Sequence, residues 1–122
     1  MTGIFIAYNQ AYYMEIVDLL EKNYSKGFTR WNEISGRGSR GGEPHMGSHT
    51  WPTFNDAILT FVEDEFVDNI MNDLNELDTK TEELGLRAFS WKIDKSIYNM
   101  LKKSCKFLQL FLFLLQNNVF LY

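Results

Sequence analysis

Residues 55–71 read NDAILTFVEDEFVDNIM, and this stretch decides the fold. Ala57 to Val62 (AILTFV) is an almost unbroken apolar run, short and rich in β-branched and aromatic residues, as a central strand requires. Glu63 and Asp64 then open a helix, where acidic residues suit the positive end of the macrodipole. Phe66, Val67, Ile70, Met71, Leu74 and Leu77 recur at helical spacing and form one apolar stripe. A strand thus runs directly into an amphipathic helix.

The same unit stands at the N-terminus. Gly3 to Tyr8 (GIFIAY) has strand composition, and Asn9 offers a helix N-cap. Tyr13, Ile16, Val17, Leu20 and Tyr24 form the stripe of the following helix, and Gly27 suits its C-terminal cap. Phe28 to Ile34 (FTRWNEI) and Leu86 to Ile93, where Phe89, Trp91 and Ile93 alternate, add two strands. The order β-α-β-loop-β-α-β predicts an α+β, ferredoxin-like βαββαβ domain: a four-stranded antiparallel sheet with both helices on one face. These strands carry apolar residues on both faces, so the helix-free face needs a cover, and neighbouring copies of the chain are the simplest one.

At 122 residues the chain makes one domain, and 45% apolar with 16% aromatic residues supports a packed core. A net charge of −4 argues against nucleic acid as a partner, because phosphate backbones demand a positive surface. A single cysteine, Cys105, excludes an internal disulfide and a multi-thiolate metal site. The opening MTGIFIAYNQ lacks the basic segment and apolar run of a secretory signal, so a cytoplasmic location is expected.

Ser35 to Pro52 (SGRGSRGGEPHMGSHTWP) holds five glycines and both prolines, so it is expected to be a long loop between strands two and three. Loops of this length in small domains usually carry function. Gly36, Arg37, Gly38 and Arg40 suit an anion: glycines let successive N–H groups point inward, and guanidinium groups pair with phosphate oxygens. The alternative is a flexible, solvated hairpin. Glu43, His45 and His49 lie in the same loop and have the chemistry to ligate zinc or copper, or else are two solvated histidines able to sense pH. Trp51 is either a partner anchor or the pin at the loop base. Glu63, Asp64 and Glu65 sit at a helix start, where capping outranks acid–base work. Arg87 sits on the last strand, facing either a bound phosphate or the acidic pair Glu82–Glu83. No nucleophile stands with a base and an orienting group, so an enzyme is not expected.

The segments GFTRWNEISGRGSRGG and NDAILTFVEDEFVDNIM, together with the order of elements, resemble the nitrogen-regulatory PII proteins. There a G-x-T-x-x-E strand leads through a G-x-G turn into a mobile "T-loop", and Gly27, Thr29, Glu33, Gly36 and Gly38 fall on that pattern over residues 3 to 94. The resemblance implies a homotrimer, adenine-nucleotide (ATP, ADP or AMP) sites between subunits that include Thr29, and a loop docking onto a partner. The usual glycine- and lysine-rich segment before the last strand is replaced by the acidic DTKTEELG. That departure points to divergent PII-like proteins, some of which accompany heavy-metal or multidrug efflux pumps of the resistance-nodulation-division type. The expected function is therefore ligand sensing, by nucleotide or divalent metal, with control of a membrane transporter or efflux pump. Any membrane association would come through that partner. The alternative is a divalent-cation tolerance protein of the same trimeric fold, buffering metal.

The domain is expected to end near residue 97. Residues 98–122 begin basic and turn apolar, yet Phe107 to Leu115 is too short to span a bilayer. Docking on the trimer or an accidental extension is expected over a membrane role.

Overall fold

The computed structural model describes residues 1–39, 41, 43–50, 52–97 and 112–116. Strand β1 (Thr2–Asn9) passes through a 3-10 turn at Gln10–Tyr12 into helix α1 (Tyr13–Lys22). Strands β2 (Thr29–Ile34) and β3 (Asn55–Val62) follow, separated by the loop. A second 3-10 turn, Asp64–Phe66, opens helix α2 (Val67–Lys80), and β4 (Arg87–Lys92) completes the order. The sheet runs β2-β3-β1-β4 with every pair antiparallel, which is the ferredoxin-like arrangement expected.

Period-two alternation sorts the strands into two faces. Ile4, Ile6 and Tyr8 stand opposite Thr60, Ile58 and Asp56, and all six are buried. Ile16 and Leu20 of α1 and Ile70 and Leu74 of α2 close over that face, giving one core. Each such aliphatic side chain contributes about 1.5–3 kcal/mol by leaving water. On the other face Phe61, Phe89 and Trp91 remain 49%, 60% and 44% exposed, with Trp31 similar on β2. Gly3 lies opposite both Phe61 and Trp91, and a Cβ there would come within 2.8 Å of the indole. The glycine lets two aromatic rings close over a central strand. The sheet therefore presents a broad aromatic face that neither α1 nor α2 covers.

Several local expectations are corrected. Helix α1 ends at Lys22, and Tyr24, not Gly27, takes the left-handed residue of the cap at φ 64°. Ser25 N–H reaches Leu20 O at 2.8 Å and Tyr24 N–H reaches Glu21 O at 3.0 Å, the paired bonds of a Schellman cap. Gly27 instead offers its carbonyl to the buried Thr60 hydroxyl at 2.7 Å. Asp64 does not cap α2: its carboxylate takes the Thr2 hydroxyl at 2.7 Å, the terminal amine at 3.2 Å and Lys92 at 2.5 Å. The expected capping by Glu63 is also unmet by its side chain.

Three residues, not two, separate Thr29 from Glu33, and the extra one is absorbed by a β-bulge. Trp31 pairs with Ala57 and Ile34 with Asn55, so β2 takes one more residue than β3 over this step. Glu33, at φ 53°, is held in the bulge by its N–H donating to Asp56 Oδ1 at 3.1 Å. Asp56 is a buried carboxylate on an apolar face. Arg30 meets it through Nε at 3.0 Å and Nη2 at 2.5 Å, its guanidinium lying 3.5 Å from the centroid of the Tyr13 ring. The Tyr8 hydroxyl is buried beside this pair without a hydrogen bond among the described residues. Burial, then the Asp56 carboxylate, pushes its pKa upward.

Candidate anion-binding cleft

The loop does not hang free from the sheet. Gly36 and His45 form a β-bridge with backbone bonds of 2.6 and 2.7 Å, and Ser35 Oγ donates to Met46 O at 3.2 Å. Asn55 is wedged between the two limbs. Its Oδ1 meets His45 Nδ1 at 2.5 Å, and a Cβ on Gly36 would come within 2.5 Å of its amide nitrogen. Gly47, at φ +62°, lies under the Phe54 ring, where a side chain would clash outright. Phe54 thus packs over the loop base.

On the far side the acidic turn before β4 is tied to β1. Asn9 N–H donates to Leu84 O at 2.8 Å and Asn9 Nδ2 to Glu83 O at 3.1 Å, with Glu83 in the left-handed region at φ 67°. Leu84 is fully buried, which anchors the turn to the core.

Between loop and turn lies a cleft of about 520 Å³, in the range of small-molecule sites. Gly36, Arg37, Gly38, His45 and Arg87 line it, and so do the carboxylates Glu43 and Glu83. The anion residues expected from sequence, Gly36, Arg37, Gly38 and Arg87, are brought together here. Arg40 lies outside the described residues. Among the described residues, Arg87 Nη1 donates to Leu86 O at 2.8 Å and makes no ion pair with Glu82 or Glu83, while Arg37 has no partner. Two arginines that make no ion pair among the described residues therefore line one glycine-rich space, together with two carboxylates, and an anion there can take charge-assisted hydrogen bonds from them.

Thr29 is not in this cleft. It lines a second, mostly apolar pocket of about 800 Å³ with Gly27, Phe28, Leu59, Phe61 and Phe66, and the two share no lining residue. Glu43, His45 and His49 are not assembled as ligands: among the described residues no group of three or more His, Cys, Asp or Glu could hold a metal ion. His45 is already engaged by Asn55. Trp51 and Cys105 fall outside the described residues, as do residues 98–111 and 117–122 of the tail. Among the described residues no helix is long and apolar enough to cross a membrane.

Sequence reasoning missed Asn55, Asp56 and Arg30. A signal existed: Asp56 has the same parity as Ile58, Thr60 and Val62, so a carboxylate was bound for the core face and required a cation. Arg30, on the neighbouring strand, is paired opposite Ile58.

No family model matches the sequence, and no curated protein matches it. Solved structures do match. CPII, a nitrogen-regulatory PII-like protein from Thiomonas intermedia K12 seen bound to ADP, AMP and bicarbonate, is similar with a TM-score of 0.58 at 18% identity, over 77% of this chain and 88% of that one. A protein assigned to PII-like signalling from Thermus thermophilus gives 0.58 at 22%, over 75% and 85%. The apo form of CPII gives 0.55 at 15%, over 78% and 92%. With the strand order and loop position above, these likenesses establish that the chain has the fold of the PII-like proteins.

Proposed function

We propose that this chain is a divergent PII-like regulatory protein that binds a small anionic ligand, an adenine nucleotide first among candidates, and signals through its loop to a protein partner. One observation carries the reading: Arg37 of the loop and Arg87 of β4 line the same cleft, and among the described residues neither is ion-paired, although Glu43 and Glu83 line it too. Ligand in that cleft touches the loop root directly, so it favours one loop state by the difference in its affinity for the two. ADP and AMP in the CPII structures make the adenine nucleotides the natural first ligands to test.

Assembly follows from the aromatic sheet face. We propose a homotrimer in which copies cover Phe61, Phe89 and Trp91 of one another, as exposed patches of this kind require. The apolar pocket with Thr29 then takes the base while the arginine cleft of a neighbouring copy takes the phosphates. The separation of the two pockets within one chain supports this division. A membrane transporter or efflux pump is the proposed target, supported by the family resemblance. The protein acts by binding, and prolonged incubation with ATP is expected to yield no ADP.

Calorimetry tests the reading. ADP or AMP is expected to bind wild type, and Arg37→Ala and Arg87→Ala each to weaken it about tenfold or more, the loss of one charge-assisted bond at ~1.5–3 kcal/mol. Light scattering is expected to give three times the chain mass. Absence of binding by ADP, AMP and ATP at millimolar concentration overturns the ligand assignment.

A further inference from the structure

We propose, on the anion reading of the cleft given above, that Glu43 and Glu83 select the ligand by its charge. The cleft then admits a single phosphoryl group at its arginines and turns away longer, more highly charged polyphosphates, which makes a nucleoside monophosphate the preferred class. The charges of the lining carry the inference. Among the described residues Arg37 and Arg87 are matched one for one by Glu43 and Glu83. None of the four is ion-paired, either with one another or with any other described residue. The carboxylates are therefore not neutralised by the guanidinium groups, and an incoming anion meets both signs at once. A first phosphoryl group can take charge-assisted bonds from the arginines. Each further phosphoryl group brings negative charge into a space whose remaining described counterparts are carboxylates, so attraction stops growing with ligand charge. Selectivity of this kind needs a repulsive element beside the attractive one.

Glu83 is held in place for this role. Its backbone lies in the left-handed region at φ 67°, a conformation that glycine takes without strain. Asn9 Nδ2 pins its carbonyl at 3.1 Å, and the next residue, Leu84, is fully buried. The turn is thus fixed to β1 and the core, while Glu83 lines the cleft. A glutamate kept at a position suited to glycine is accounted for when its carboxylate itself contributes to the site. Glu82, its neighbour in the same turn, does not line the cleft. The two residues carry the same charge, so comparing them separates an effect inside the cleft from one of overall charge.

AMP, ADP and ATP are the probes, with about two, three and four negative charges at about pH 8. Titration of the full chain, with no divalent metal added, is expected to show ATP binding about tenfold more weakly than AMP. Glu83→Gln keeps the length of the side chain, removes its charge and is expected to bring ATP level with AMP. Glu43→Gln is expected to move the ratio the same way, and Glu82→Gln to leave it at the wild-type value. Both cleft carboxylates are exposed to solvent, so salt screens them, and the wild-type ratio is expected to shrink between about 0.05 and 0.5 M salt. Wild-type protein that binds ATP as tightly as AMP, or more tightly, overturns the proposal without any variant and leaves the anion cleft intact. A folded Glu83→Gln protein that keeps the wild-type ratio overturns it too, as does a Glu82→Gln protein that shifts the ratio equally far. Absence of binding by all three nucleotides removes the anion reading along with the proposal.

Discussion

Asp56 is the residue on which the loop root turns, and Asp56→Asn is the most demanding test of that account. The substitution keeps the volume and leaves one oxygen able to accept the Glu33 N–H. It removes the acceptor that takes both Arg30 bonds, at 3.0 and 2.5 Å, and sets an amide donor against a guanidinium donor. Bonds to charged groups are worth ~1.5–3 kcal/mol each. Arg30 keeps 30% of its side chain in solvent against 1% for Asp56, so it rehydrates in part and the full sum is not lost. The expected cost is about 2–3 kcal/mol, a fall in Tm of roughly 8–15 °C for a domain of this size. Arg30→Met in the same chain is expected to recover about 1–2 kcal/mol, because it removes a charge left without its partner. The assay is a double-mutant cycle by urea unfolding at one fixed protein concentration, since an oligomer's stability depends on concentration. A single variant within about 0.5 kcal/mol of wild type, or singles that add without coupling, would refute the claim that this pair is a desolvated unit holding the bulge.

Other outcomes follow from single contacts. Tyr8→Phe deletes a buried hydroxyl that has no hydrogen bond among the described residues and is expected to change stability by less than ~1 kcal/mol. Because the folded phenol is shifted upward, its contribution is whole below the ordinary tyrosine value of about 10 and lost as pH rises past it, so unfolding curves of the variant and wild type should diverge only in alkali. Gly3→Val drives a side chain into Trp91 and Phe61, expected to cost about 1–3 kcal/mol and to lower the mass seen by light scattering. Asp64 is held below the usual carboxylate range by Lys92, then Thr2 and the terminal amine. Its contribution is present above the ordinary carboxylate pKa and lost on acidification, so the stability gap between wild type and Asp64→Asn should close below about pH 4. Glu83→Gly relieves a left-handed glutamate and removes a negative charge from the cleft; stability up by as much as ~1 kcal/mol and tighter ADP binding are expected.

Much of this molecule is written in local pattern. The apolar runs at Gly3–Tyr8 and Ala57–Val62, each followed by a helical stripe, determine strand and helix because side-chain period reports which backbone geometry can bury a face. The order of those elements determines the antiparallel sheet, and the glycine–arginine segment after β2 marks a candidate anion contact before any contact is known. Caps were less legible. Tyr24 replaces the expected Gly27 because a left-handed residue is selected by where the chain must turn toward Phe66, with whose ring it packs at 5.4 Å, and no local pattern records that.

What only the tertiary structure decided is which residues meet. Arg37 and Arg87 are 50 positions apart in sequence, and they share a cleft because the Gly36–His45 bridge and Asn55 hold the loop root against the sheet while Asn9 draws the acidic turn onto β1. The same packing left Thr29 in another pocket and engaged His45 with Asn55, and among the described residues no three of the candidate ligands gather to hold a metal. Sequence spacing limits where a side chain can reach along the chain. Only packing chooses among the partners it could reach across the fold, because that choice depends on which buried polar groups are satisfied together.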